Sequence, residues 1–113
     1  MSNDISVLLT TVANQTDAEQ MSAMLIEQQL AACVQTIDVD SRFRWQGEVQ
    51  KEHEVLLLIK TATNGVDMVT EAIREQHSYD VPEIIALPVA GGLSDYIKWV
   101  SAESQPTADA KTA

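Results

Sequence analysis

The side chains in this chain that could do chemistry are few, and their neighbours decide what each could do. There are two histidines and one cysteine in 113 residues. His77 is followed by Ser78-Tyr79-Asp80-Val81-Pro82-Glu83, a polar segment at the junction between two elements. Such a loop can line a site at a sheet's rim; an imidazole there can equally cap the end of the preceding helix. His53 stands between Glu52 and Glu54 in the polar half of a strand and points away from both, which reads as a surface or interface position. Cys33, within Leu30-Ala31-Ala32-Cys33, has the apolar surroundings of a packing residue. Lacking a second cysteine, the chain forms no internal disulfide and no CxxC pair. Lys60 lies near the end of an apolar strand, where a charge is costly, so Glu54 or Glu83 is expected to partner it, structurally or around an anionic ligand. No Ser-His-Asp order, HExxH, phosphate loop or GxGxxG occurs, and the expectation is that the protein is not an enzyme.

The elements that must position these residues follow from periodicity. Ile5 to Ala13 is short, apolar and β-branched, a buried strand. Thr16-Asp17-Ala18-Glu19 has the spacing of a capping box, predicting a helix to about Ala32 with Ala18, Met21, Leu25 and Ala32 on one inward face. Cys33 to Gln46 reads as a long strand bent near Asp38 to Ser41. Gln46-Gly47 reads as a hairpin turn, and Glu48 to Thr61 as the return strand. A second helix spans Val66 to Gln76. A strand at Ile84 to Val89 carries Pro88, which argues for a sheet edge or a bulge. Ser94 is expected to cap a short third helix to about Ser101. The pattern is α+β: a ferredoxin-like βαββαβ sandwich with a C-terminal helix, a single domain over 1–102 and a disordered tail over 103–113.

Seventeen acidic against seven basic side chains leave a charge of −10, which disfavours nucleic acid and anionic membrane as partners. No apolar run approaches the roughly 18 residues of a membrane span. Met1-Ser2-Asn3-Asp4 lacks the basic start of a signal peptide, and the expected location is the cytoplasm.

The central hairpin is too long for its cover. Fourteen residues at about 3.3 Å each reach roughly 45 Å, whereas a 16-residue helix covers about 24 Å. Phe43, Trp45 and Val49 fall on the overhang. An uncovered apolar ribbon invites pairing with sister chains, most simply in a closed ring; the alternative is a ribbon folded back at a bulge near Asp38 to Asp40.

Taken together, LAACVQTI (Leu30 to Ile37), RWQGEVQKEHEVLLLIKT (Arg44 to Thr61) and HSYDVPEIIALPVAGGLSDYIKWV (His77 to Val100) resemble the CutA family of divalent-cation tolerance proteins. The likeness is collinear from about Ser6 to Val100. It implies a homotrimer whose long strands pair across subunits, similar to PII signalling proteins, acting without catalysis in tolerance of copper and other divalent metals. It implies also that clefts between subunits hold the site, with Lys60, Tyr79, Glu83, Tyr96 and Trp99 around a small ligand and His77 and Cys33 as metal candidates. Certain copper-binding members have a cysteine in the first strand and paired histidines before the Tyr-x-x-Pro-Glu segment. Thr10 and Gln76 stand there in this chain, poor copper donors, so any copper or other divalent cation is expected to bind weakly, through His77. The alternative is a PII-like sensor holding a small anion against Lys60, its link to metals indirect. An acylphosphatase is rejected because Val12 to Asp17 carries no cation.

Overall fold

The computed structural model describes residues 4–106. Its elements, in chain order, are β1 (Ile5–Val12), α1 (Gln15–Glu27), β2 (Cys33–Trp45), β3 (Glu48–Ala62), a 3-10 turn (Thr63–Gly65), α2 (Val66–Gln76), β4 (Ile85–Pro88) and α3 (Ser94–Glu103). The sheet is antiparallel with order β2-β3-β1-β4. Together with the element order this is the ferredoxin-like βαββαβ arrangement followed by a helix.

Alternation sorts the sheet's two faces. Leu8 and Val12 of β1 sit opposite Ile59 and Val55 of β3. These side chains are buried with Ala18, Met21 and Leu25 of α1 and Val69 and Ile73 of α2. The inward residues of each helix recur at three- and four-residue spacing, which turns one stripe to the sheet. The other face of the sheet is uncovered along β4 and β2. There Ile85, Leu87 and Ile37 are 49%, 48% and 54% exposed, in register with Leu9, Val7 and Leu56. β4 holds an edge and pairs only with β1, which accommodates Pro88 as expected.

Several expectations about element ends need correction. Asn14, not Thr16, caps α1: its Oδ1 accepts the Asp17 backbone N–H at 2.8 Å. The helix stops at Glu27, well short of Ala32, because Gln29 takes a left-handed conformation (φ 58°) and the Leu30 and Ala31 amides turn back to the Leu25 carbonyl. Ser94 is the first residue of α3 and does not cap it; Leu93 holds the cap position without a side-chain bond. That helix continues to Glu103, and the buried Ser104 hydroxyl accepts the Ala62 amide at 2.9 Å. The fold thus takes in these two residues of the segment expected to be a tail; residues 107–113 lie outside those described.

β2 and β3 pair without a break from Cys33↔Lys60 to Trp45↔Glu48, so there is no fold-back near Asp38 to Asp40. β1 reaches only Val55. Seven residues of β3, Glu48 to Glu54, therefore extend beyond the third strand as a two-stranded arm, about 23 Å long at the usual strand rise. Gln46 and Gly47 both have positive φ (52° and 82°), the turn that matches strand twist. No helix among the described residues is long and apolar enough to cross a membrane.

Candidate functional site

Where the arm leaves the sheet, it meets the loop after α2. Between them lies a groove of about 760 Å³, walled by Phe43 and Trp45 of β2, Glu52 and Glu54 of β3, and Tyr79 and Glu83 of the loop. Its volume falls within the range of small-ligand sites. Glu54 is the groove's buried charge, 6% exposed, and its Oε2 accepts the Tyr79 hydroxyl at 2.8 Å. Burial, and then the bond to Glu54 and its negative charge, push the Tyr79 phenol up to about 12. A phenol so placed donates; it is not a proton acceptor at neutral pH.

His77 stands behind this pair and does not line the groove. Its backbone N–H closes α2 on the Ile73 carbonyl. The imidazole does not bond the helix end: Nε2 donates to the Thr11 carbonyl at 2.8 Å and Nδ1 accepts the Tyr79 amide at 3.1 Å. Because a carbonyl only accepts and an amide only donates, both nitrogens are committed to fixed roles. The ring also packs on Tyr79, centroids 4.8 Å apart. His77 thus ties the loop to β1 and aims Tyr79 at Glu54. Its one lone pair is engaged, which leaves none for a metal in this arrangement.

The remaining predicted site residues form a second cluster. Lys60 Nζ donates to the Tyr96 hydroxyl at 3.3 Å and lies 5.4 Å from that ring's centroid. Tyr96 packs against Trp99 at 5.6 Å. Lys60 therefore meets a phenol and an aromatic face, and not Glu54 or Glu83 as expected. Six residues of one strand, roughly 20 Å, separate it from Glu54. Cys33, half-buried, is in register with Lys60 and so belongs to this end of the sheet, away from His77. The chain brings Tyr79 and Glu83 together, and separately Lys60, Tyr96 and Trp99.

No group of three or more His, Cys, Asp or Glu side chains among the described residues is placed to hold a metal ion. His77 and Cys33 do not converge. The described residues of one chain do not fit a resident copper centre. Sequence reasoning missed the Glu54–Tyr79 bond and the aromatic wall that Phe43 and Trp45 give the groove. The available signal was the switch within EVQKEHE-VLLLIKT at Glu54, which marks where the strand leaves its cover.

Comparison with known proteins agrees with this architecture. Residues 6–103 match the family model described as CutA1 divalent ion tolerance protein. The chain is 42% identical over 95 residues to the divalent-cation tolerance protein CutA of Thermus thermophilus, spanning 83% of this chain and 92% of that one. It is 38% identical over 95 residues to the chloroplastic CutA of Arabidopsis thaliana, covering 83% of this chain but only 52% of that longer protein. Among solved structures, CutA1 from Oryza sativa superposes with a TM-score of 0.88 at 36% identity, covering 94% of this chain and 98% of that one. The solved Thermus thermophilus protein gives 0.86 at 39%, with 89% and 99% covered. With nearly all of its described residues inside the family model, the chain belongs to the CutA1 divalent ion tolerance family.

Proposed function

We propose that this protein acts in tolerance of divalent cations, as its relatives' names say of them, that copper is among those cations, and that the protein acts without catalysis, as a homotrimer in the cytoplasm. The observation that carries the trimer is the uncovered sheet face together with the arm. Ile37, Ile85 and Leu87 are each about half exposed on one face. Phe43, Trp45 and Val49 are 41%, 47% and 62% exposed on a ribbon with no third strand among the described residues. Apolar surface of this extent needs a partner, and two free strand edges supply backbone groups for one.

The metal reading is narrower. With His77 committed on both nitrogens and Cys33 at the other end of the sheet, tolerance does not rest on a copper centre among the described residues of one chain. A cation would be held weakly at the surface or by groups from more than one copy. The residues around any small ligand would be Tyr79 and Glu83 in one cleft and Lys60, Tyr96 and Trp99 in another.

Growth at raised copper(II) of cells lacking their own CutA tests the role directly. Restored tolerance on expressing this chain is expected; growth no better than with an empty vector contradicts it. Calorimetric titration of the purified protein with copper(II) is expected to give weak heats, little changed in His77→Ala. Tight binding lost in that variant contradicts the metal reading.

A further inference from the structure

The register of the arm gives it two faces of opposite charge. In an antiparallel pair, residues directly opposite point to the same side, and successive residues alternate. Arg42 pairs with Lys51, Arg44 with Val49 and Asp40 with His53. On the arm, three cations therefore share the side continuous with the helix-covered face with a single carboxylate, Asp40, and an imidazole, which leaves that side net positive. Trp45 pairs with Glu48, Phe43 with Gln50 and Ser41 with Glu52, so aromatic and acidic groups share the other. The second side forms the wall of the groove, where Asp80 and Glu83 add further carboxylates; Arg42, whose register places it on the first side, is the one cation among the described lining residues.

Glu54 sharpens the asymmetry. It is a buried carboxylate whose partner is a neutral phenol, with no cation paired to it among the described residues. A buried charge held this way is expensive unless an opposite charge arrives. Aromatic walls beside carboxylates suit a guanidinium or ammonium, which stacks on a ring while it pairs. No group of three or more His, Cys, Asp or Glu among the described residues is placed for a metal ion. Of the described cations, Lys60 is engaged by Tyr96 and Arg74 by Glu71, Arg42 already lines the groove, and Lys98 stands on α3 at a separate pocket. Arg44 and Lys51 stand on the arm itself, on the face turned away from their own groove.

We propose that the acidic, aromatic groove of one copy receives the cationic face of a second copy's arm, with Arg44 or Lys51 as the entering charge. The donor and acceptor are different patches of the same chain, so the contact is head-to-tail. A head-to-tail contact between identical chains leaves both patches unsatisfied at the ends until the set closes into a ring. This inference rests on the trimer reading and adds to it a contributed residue and a charge-based specificity.

The test uses charge reversal in the full chain, with association measured by sedimentation velocity over a dilution series. Glu83 is exposed on the groove's rim and Arg44 and Lys51 are exposed on the arm, so Glu83→Lys, Arg44→Glu and Lys51→Glu spare the core. Glu83→Lys is expected to weaken association at least tenfold, and so is Arg44→Glu or Lys51→Glu. Combining Glu83→Lys with that arm reversal is expected to recover most of the loss, because every interface in the ring is then reversed together. Association of the native protein is also expected to weaken as sodium chloride rises. A trimer whose dissociation is within twofold of native in all three single variants, or a double variant no better than its singles, overturns this proposal and leaves the trimer reading intact. A native protein that sediments as a single 12.4 kDa chain at every concentration overturns both.

Discussion

Replacing Thr10 by valine is expected to stabilise the protein. Thr10 is fully buried on β1, in register with Leu57, and its hydroxyl is the one buried side-chain polar atom among the described residues with no hydrogen-bond partner. Withholding such a hydroxyl from water without a partner costs about 1–3 kcal/mol. Valine has nearly the same shape and fills the same space with a methyl group. A gain of about 1–2 kcal/mol is expected, or roughly 3–10 °C in Tm for a domain of this size. Urea and thermal unfolding followed by far-UV circular dichroism would measure it, at one fixed chain concentration so that any association contributes equally to both proteins. Thr10→Ser is the control: it keeps the hydroxyl, loses a methyl, and should cost about 1 kcal/mol. A valine variant that is no more stable than the native protein refutes the reasoning, since the hydroxyl would then have a partner. The same logic makes Thr10→Cys tolerable, because a thiol is a weak donor that suffers little from burial.

Other perturbations probe the groove, the turn after α1 and the arm. In Tyr96→Phe, Tyr79 is the only tyrosine left, and its phenolate absorbance should appear near pH 12 instead of 10. Because the folded value is raised, this phenol's stabilising contribution is complete below pH 10 and is lost as pH rises through about 12; titration near 10 with native circular dichroism would contradict the Glu54 contact. Gln29→Gly should stabilise by about 0.5–1 kcal/mol, read from the urea midpoint, since a left-handed residue at a helix end costs more with a side chain than without. Trp45→Ala should cost about 3 kcal/mol or more and lower the oligomer's mass if the ring is sheltered between copies; unchanged Tm and mass would place the ring in solvent.

How much of this was legible in the sequence differs by element. The strands were readable because β-branched alternation leaves little choice, and Gln46-Gly47 fixed the hairpin within a residue. The arm was legible as a length mismatch, and β1 ending opposite Val55 is that mismatch in the structure. The end of α1 was not, because Gln28 and Gln29 are good helix formers; what stops the helix is a left-handed Gln29 chosen by the tertiary path to β2. The cap was misplaced by two residues because Asn14 and Thr16 are both competent, and only backbone geometry separates them. For the site, the loop from His77 to Glu83 was recognisable as polar and junctional. That His77 spends both nitrogens on Thr11 and Tyr79 depends on β1 passing beneath the loop, a long-range fact that local pattern does not carry. Lys60 misled in the same way: its nearest partner comes from α3, thirty-six residues on.

The central claim is that the bare sheet face and the arm are covered by sister chains. Sedimentation equilibrium of the full chain over a micromolar concentration range tests it most directly. The expected mass is three times the 12.4 kDa of one chain, constant across the range. A mass of one chain throughout would contradict the claim, and would leave Phe43, Trp45 and the open sheet face exposed to water.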